Sequence, residues 1–181
     1  MTQGVGCLIV LVGIPGSGKS EWARRNADGA VVVSQDDLID AITPGGFDSS
    51  YRAIYAAAEN AVADAGLASG LPVIVDRTNR TRALRQRWIE MARAHRCPVV
   101  AVEMTSDAEL CRARNRARTN HRRVAEIRLE RMLQVLEPPS EDEGFLAIFR
   151  DLECSRESIL QALDLDFTKR CMGEIAEQGR K

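Results

Sequence analysis

The feature that most constrains this chain is an unbroken glycine-rich segment at residues 13–20, Gly-Ile-Pro-Gly-Ser-Gly-Lys-Ser. The apolar run at 7–12 has the length and β-branched content of a buried parallel strand, and residues 21–25 can continue as a helix. A strand, a glycine loop and a helix in this order are the context in which the pattern G-x-x-x-x-G-K-S cradles phosphate groups. The sequence therefore predicts a site for a nucleoside triphosphate.

Each residue type in this loop has a physical task. Gly16 and Gly18 let the backbone turn so that its N–H groups point at phosphate oxygens, and the helix N-terminus adds partial positive charge. Lys19 can reach the β- and γ-phosphates, and the hydroxyl of Ser20 can bind Mg²⁺. We expect the following loop residues to bind the nucleotide, with Ser20 as the metal ligand: Gly13, Pro15, Gly16, Ser17, Gly18, Lys19 and Ser20.

Strands and helices alternate along the rest of the chain. Apolar runs that predict further strands lie at 30–34, 72–76 and 98–103. Helical patterns lie at 38–42, 50–67, 82–95 and 124–137. The run at 145–149 fits a last strand or a helical turn, and residues 106–109 have the pattern of a capping box. We predict an α/β fold of the P-loop NTPase type: a parallel β-sheet with helices on both faces, a helical lid at about 112–125 and a helical tail at about 151–181.

Length and composition set only broad limits. In a chain of 181 residues, 45% hydrophobic and 28% charged, a single domain over 1–181 is expected. We find no apolar run long enough to cross a membrane and no export leader, and the five cysteines include no C-x-x-C pair. These features favour a reduced, cytoplasmic protein that does not contact membranes over a disulfide or zinc framework.

The net charge of −1 conceals a strongly basic middle third. Residues 77–131 contain 15 arginines and no lysine against 6 acidic residues, whereas the segments on either side are acidic. The guanidinium fork suits phosphate groups, so this block favours phosphate binding. The alternative is a set of solvated helix faces in a chain that uses arginine in preference to lysine.

Motifs that are absent narrow the type of reaction. The chain has no Asn-Lys-x-Asp for reading guanine, and Asp76 is followed by Arg77 rather than by the glutamate with which motor-type ATPases polarise water. We therefore expect phosphotransfer to a bound acceptor, which needs a base and positive charge around the transferred group. Asp36, at the end of the second strand, is favoured as that base. The alternative for Asp36 is N-capping of the next helix, a task that Asp37 can perform instead.

Two arginines in the basic block lie four residues apart on one face of a predicted helix, Arg114 and Arg118. Their guanidinium groups would repel each other unless an anion lies between them, and nucleotide phosphates would serve. The segment at 118–123 is typical of the tip of a lid that closes over a nucleotide. The alternative is an exposed basic turn.

Four motifs together resemble those of a known family. Beside the glycine loop, they are Ser-x-Asp-Asp at 34–37, Val-Ile-Val-Asp-x-Thr-Asn at 73–79 and Arg-Asn-x-x-Arg at 114–118. In this combination, residues 7–149 are similar to the kinase module of polynucleotide 5′-hydroxyl kinases, the end-healing enzymes of phages, bacteria and animals. The resemblance implies transfer of the γ-phosphate of ATP, with Mg²⁺, to the 5′-hydroxyl of a DNA or RNA end.

The resemblance also implies residue roles. The catalytic residues would be Lys19, Asp36 and Arg118. Arg114 and Arg118 would clamp ATP from the lid. The acceptor side of the cleft would be formed by Asp36, Asp76, Arg77 and Asn79.

One position departs from the family pattern. Some members place an arginine three residues after the base, where it would hold the acceptor's phosphate, and this chain has Ile39 there. Available substitutes are Arg52, Arg77, Arg80 and Arg82. Arg77 and Arg80 are preferred because they flank the loop at the mouth of the cleft, with surface salt bridging as their alternative.

The departure at Ile39 keeps a second function open, a P-loop kinase whose acceptor is a small molecule or a tRNA-linked hydroxyl. A third hypothesis, a nucleotide-gated binding protein with residual turnover, is disfavoured by the intact Asp36 and lid.

Overall fold

Five short apolar segments form one parallel sheet in the computed structural model, which describes residues 6–151 and 154–164. The strands are β1 (Leu8–Val12), β2 (Val31–Ser34), β3 (Val73–Asp76), β4 (Val99–Glu103) and β5 (Ala147–Arg150). Their order across the sheet is β2-β3-β1-β4-β5. The predicted α/β fold is confirmed, and the ambiguous run near 145–149 is a strand that pairs with β4.

Helices connect these strands. They are α1 (Lys19–Arg25), α2 (Gln35–Ile42), α3 (Arg52–Ala68), α4 (Arg82–Ala94), α5 (Ala108–Arg116), α6 (Glu126–Gln134) and α7 (156–164). Single 3₁₀ turns lie at Ser49–Tyr51 and Glu141–Glu143. In the described part of the chain no helix is long and apolar enough to span a membrane, and the cysteines there form no disulfide. The rest of the predicted tail, 165–181, lies outside the described residues.

The central strand β1 is buried on both faces, because successive side chains of a strand point to opposite sides of the sheet. Leu8, Val10 and Val12 belong to one apolar core, together with residues of α3 and α4. Ile9 and Leu11 belong to a second core, which includes residues of α1 and α7. This double burial places the carboxyl end of β1, and the glycine loop after it, at the middle of one sheet edge.

Helix α2 begins three residues earlier than the sequence pattern predicted. Its N-cap is Ser34, whose hydroxyl oxygen accepts a hydrogen bond from the backbone N–H of Asp37 at 3.3 Å. The alternative that Asp36 or Asp37 caps this helix is therefore wrong. Asp36 lies in the first turn, where its negative charge is favoured by the helix dipole.

Helix α5 also has a different cap from the predicted one. The Asp107 carboxylate accepts a hydrogen bond from the N–H of Leu110 at 2.8 Å, so Ser106 does not start a capping box. The Ser106 hydroxyl instead donates to the carbonyl oxygen of Ser17 at 3.0 Å. This bond connects the segment before the predicted lid to the glycine loop.

A fully buried ion pair holds the segment after α6 against the sheet edge. The Arg85 guanidinium donates to both carboxylate oxygens of Glu143, at 2.7 and 2.6 Å. It also donates to the carbonyl oxygens of Asn79 and Glu137, at 3.0 and 2.9 Å. One side chain therefore connects α4, the loop after β3 and the chain beyond α6.

We expect Arg85→Ala to lower the free energy of unfolding by about 3–5 kcal/mol, because it leaves the Glu143 carboxylate buried without its counter-charge. Urea denaturation measures this loss. The matched control is Arg82→Ala, which removes an exposed pair with Asp142 and should cost less than about 1 kcal/mol. Equal losses in the two variants would contradict this assignment.

Candidate functional site

The glycine loop packs closely against α5 at Gly16, where a side chain would not fit. Gly16 has φ +85°, and a Cβ there would lie 2.5 Å from the carbonyl oxygen of Cys111 in α5. Gly18, with φ +102°, is the N-cap of α1. The loop is therefore in direct backbone contact with the helix that leads into the predicted lid.

The amine of Lys19 lies inside this loop. Lys19 is 8% exposed, and its Nζ donates to the carbonyl oxygen of Ile14 at 2.8 Å. The pKa of Lys19 is lowered to about 8, mainly by burial and also by the charge of Arg118, while the charges of Asp76 and Asp36 oppose the shift. The site thus holds a desolvated amine whose protonated form a bound anion would stabilise.

Asp76, the last residue of β3, lies against the start of α1. Burial raises the pKa of Asp76 above its usual value, and interaction with the Ser20 hydroxyl opposes this shift. The charges of Asp36 and Asp37 also act on this carboxyl group. Asp76 therefore lies between the predicted metal ligand and the predicted acceptor side. A hydroxyl and a carboxylate are ligands that suit Mg²⁺.

Asp36 is exposed on α2 and makes no hydrogen bond or ion pair with the residues that the structure describes. Its charge nevertheless acts on Lys19. The adjacent Asp37 differs, because its carboxylate accepts a hydrogen bond from Arg122 at 2.7 Å. Of these two carboxylates, Asp36 is the one available to accept a proton from a ligand.

Asn79 sets the shape of the loop after β3. It is 2% exposed and has a left-handed φ of +41°. Its Nδ2 donates to the carbonyl oxygen of Leu11 at 2.8 Å, and its Oδ1 accepts from the indole of Trp88 at 3.1 Å. These contacts occupy the side chain, so Asn79 can shape the cleft but does not present its amide to a ligand.

Arg77 has an internal partner as well. Its guanidinium donates to Glu59 at 2.6 Å, and Arg87 donates to the same carboxylate oxygen at 2.5 Å. Glu59 is fully buried, and burial lowers the pKa of Arg77. Arg77 therefore forms the salt bridge that was the alternative to acceptor binding. To contact an acceptor through the same N–H group, Arg77 would have to give up its bond to Glu59.

A cavity of about 470 Å³ lies over the glycine loop. Its lining combines loop and α1 residues with residues from beyond β4 and β5, namely Gly16, Ser17, Gly18, Lys19, Ser20, Glu21, Trp22, Arg25, Ser106, Arg114, Arg118 and Asp151. The predicted loop ligands Gly13 and Pro15 are not in this lining. The cavity thus brings together the loop and the two lid arginines.

The two lid arginines reach this cavity from different backbone positions. Arg114 in α5 donates to the carbonyl oxygen of Gly16 at 3.2 Å. Arg118 lies two residues beyond the end of α5, so the prediction that it shares a helix face with Arg114 is wrong. Its backbone N–H donates to the carbonyl oxygen of Asn115 at 3.2 Å, which forms a turn after the helix. Arg118 Nη1 donates to the carbonyl oxygen of Arg122 at 3.0 Å. Both arginines line the cavity over the glycine loop.

The lid contacts α2 through an ion-pair network that sequence reasoning missed. Arg122 donates to Asp37 at 2.7 Å and to Asp40 at 3.0 Å through Nε. His121 also hydrogen-bonds to Asp40, at 2.6 Å. The sequence predicted Arg122 in the tip of a lid, with an exposed basic turn as the alternative, and indicated no partner for it. The one available signal was that Asp37 and Asp40 lie three apart on the same helix face.

Comparison with known proteins identifies the family. A family model described as an AAA domain matches residues 8–139. The chain belongs to this family. It is 30% identical over 143 residues to the bifunctional polynucleotide phosphatase/kinase of Schizosaccharomyces pombe, an alignment that covers 76% of this chain and 31% of that protein. The chain therefore spans about a third of the length of this curated relative.

Solved structures share the fold. A putative kinase from Chloroflexus aurantiacus superimposes with a TM-score of 0.69 at 16% identity, over 92% of this chain and 98% of that one. A gluconokinase from Sinorhizobium meliloti superimposes with a TM-score of 0.55 at 24% identity, over 81% and 82%. These structures show the shared fold. The family model and the 30% identity to a polynucleotide phosphatase/kinase show a kinase-like P-loop domain, and they confirm the family-level resemblance drawn from the motifs.

Proposed function

We propose that this protein transfers the γ-phosphate of ATP to the 5′-hydroxyl of a DNA or RNA end. The observation that carries the proposal is the unpaired Asp36 carboxylate, which lies within electrostatic range of the buried Lys19 amine at the same sheet edge. A phosphotransferase needs such a pair, a free base beside a cation that holds the donor phosphates. The similarity to a polynucleotide phosphatase/kinase supports the choice of acceptor.

The reaction is a displacement at the γ-phosphorus. The acceptor's 5′-oxygen forms a bond to phosphorus while the bond from phosphorus to the β–γ bridging oxygen breaks. The hydroxyl proton passes to the Asp36 carboxylate, and ADP leaves. Lys19 holds the β- and γ-phosphates, and Arg114 and Arg118 would move from their carbonyl partners onto the phosphate oxygens.

The residues present suit the metal that such kinases use. Ser20 and Asp76 already contact each other, and both supply oxygen ligands at the start of α1. Mg²⁺ held there would neutralise charge on the phosphate oxygens.

The second candidate function keeps the phosphotransfer and changes the acceptor to a small molecule. Ile39 is buried rather than cationic. Helix α2 carries three carboxylates, of which Asp37 and Asp40 pair with Arg122 while Asp36 has no ion-pair partner among the described residues. An acidic helix of this kind repels a phosphate-rich acceptor unless nearby arginines compensate. The shared fold with a gluconokinase is consistent with a polyhydroxyl acceptor.

Release of ADP with a panel of acceptors tests the proposal. We expect ADP release to be stimulated by an oligonucleotide with a 5′-hydroxyl and not by the same oligonucleotide with a 5′-phosphate. Binding of the oligonucleotide should weaken with salt, with a slope in log K of about 0.7 to 0.9 per phosphate contact. Stimulation by gluconate alone, without a salt-dependent oligonucleotide complex, would favour the second candidate.

The lowered pKa of Lys19 predicts that ATP binds more weakly at alkaline pH. In the free protein this pKa is about 8, and bound phosphates raise it, so binding above pH 8 requires uptake of a proton. We expect the dissociation constant for ATP to be flat below about pH 8 and then to rise by up to about tenfold per pH unit. Titration calorimetry measures both the affinity and the proton uptake. The Lys19→Met control should bind more weakly and lose the alkaline dependence, and an unchanged profile in that variant would contradict the assignment.

A further inference from the structure

The arginines that could replace the missing cation at position 39 differ in their partners. Arg77 is bound to Glu59, and Arg82 is bound to Asp142. The Arg80 side chain has neither a hydrogen bond nor an ion pair within the described residues, and its Nε is buried without any partner. Arg80 is therefore the one of these three cations that the fold leaves uncompensated.

The backbone around Arg80 is held rigidly at the functional edge of the sheet. The N–H of Glu137 donates to the carbonyl oxygen of Arg80 at 2.8 Å, and the N–H of Gly13 donates to that of Thr78 at 3.0 Å. The intervening Asn79 is buried and bonded on both sides of its amide. Arg80 thus extends from a fixed loop joined to the first residue of the glycine loop, next to the strand that leads to α2.

The local charge balance favours binding of an anion. The guanidinium groups of Arg77 and Arg87 share the single carboxylate of Glu59, and the charge of a third, Arg80, acts on Arg77, which leaves an excess of positive charge at this loop. A buried guanidinium N–H without an acceptor is unfavourable, and a bidentate oxyanion would satisfy it.

The remaining substitute, Arg52, is less suitable. It is exposed on α3, and its guanidinium lies over the ring of Phe47 at 5.4 Å. Because Arg52 is exposed, water can satisfy its N–H groups, and its surroundings do not favour binding of an anion.

We propose that Arg80 binds the phosphate on the 3′ side of the acceptor's terminal nucleoside. It thereby supplies the contact that Ile39 cannot make. This inference rests on the proposed function. The contact would offset the acidic face of α2 and would select a nucleotide end over an uncharged polyhydroxyl acceptor.

The test compares two acceptors that carry the same 5′-hydroxyl, a nucleoside 3′-monophosphate and the nucleoside itself. We expect Arg80→Ala to raise KM for the 3′-monophosphate roughly 10- to 100-fold, the effect of losing one charge-assisted contact. KM for the nucleoside and for ATP should stay unchanged, and Arg80→Lys should recover part of the loss. Arg82→Ala is the matched control, since it removes a neighbouring arginine that already has a partner.

A binding measurement separates failure of this inference from failure of the proposed function. Fluorescence anisotropy of a 5′-hydroxyl oligonucleotide should show weaker binding by Arg80→Ala and a salt slope reduced by about 1. If the wild type phosphorylates neither acceptor, the proposed function fails and this inference fails with it. If the wild type is active and Arg80→Ala behaves like Arg82→Ala, only the role of Arg80 is overturned. If Arg80→Ala raised KM for ATP as much as KM for the 3′-monophosphate, the role would likewise be overturned, because Arg80 would then contribute to ATP binding.

Discussion

Replacing Asp36 with asparagine is expected to lower kcat by about 10²–10⁴-fold, the usual contribution of a general base. The amide keeps the shape of the side chain but cannot accept the hydroxyl proton. Asp36 has no hydrogen-bond or ion-pair partner within the described residues, so the substitution breaks no internal bond. The free energy of unfolding should fall by at most about 1 kcal/mol, through the lost interaction with the helix dipole. KM for ATP should change little, because Lys19 and the loop backbone remain intact.

Asp37→Asn is the matched control for this prediction. It alters the adjacent carboxylate on the same helical turn, which is bound to Arg122. Since Asp40 still holds Arg122, we expect kcat to fall less than about tenfold. Steady-state kinetics with saturating ATP measures both variants. A larger loss of kcat in Asp37→Asn than in Asp36→Asn would show that Asp36 is not the general base.

Arg118→Ala is expected to lower kcat by about 10³-fold or more, in the range found for arginines that stabilise a transferring phosphoryl group. Arg118 lines the cavity over the glycine loop, and its charge acts directly on Lys19. Among the described residues, the hydrogen-bond partner of Arg118 is the carbonyl oxygen of Arg122, a contact that can be exchanged for phosphate oxygens. The loss should appear mainly in kcat, because charge on the equatorial oxygens changes during transfer.

The control for Arg118 is Arg123→Ala, which removes an exposed arginine of the same lid segment. We expect less than a threefold change in kcat, since surface charges of this kind contribute little at ordinary ionic strength. Single-turnover measurements with preformed ATP complex separate the chemical step from binding. Similar losses in the two variants would mean that the lid acts through its overall charge rather than through Arg118.

The parts of this molecule that the sequence predicts well are those encoded locally. The apolar runs of β1 to β4 and the glycine loop each carry their signal within about ten residues, so the parallel sheet and the nucleotide loop follow directly. The start of α2 was missed because Ser34, Asp36 and Asp37 are all good capping residues, and only the backbone decides which of them caps.

Long-range polar contacts were beyond sequence reasoning. Arg122 and Asp40 are 82 positions apart, and Arg85 and Glu143 are 58 apart, so no local pattern connects them. The same holds for Arg77 in the loop after β3, whose buried partner Glu59 lies on α3. An arginine-rich segment shows that phosphate binding is feasible, but which arginines remain available depends on partners brought together by the fold.

The central claim is that this kinase-like domain phosphorylates a nucleic-acid 5′-end, and transfer of label from γ-labelled ATP tests it most directly. The acceptors would be DNA and RNA oligonucleotides with a 5′-hydroxyl, single-stranded and nicked, with a 5′-O-methyl oligonucleotide as the blocked control and Asp36→Asn alongside. We predict label on the 5′-hydroxyl substrates with the wild type, and its loss with the blocked substrate and with the variant. ATP binding without label on any oligonucleotide would contradict the account and would assign the transferred phosphate to a different acceptor.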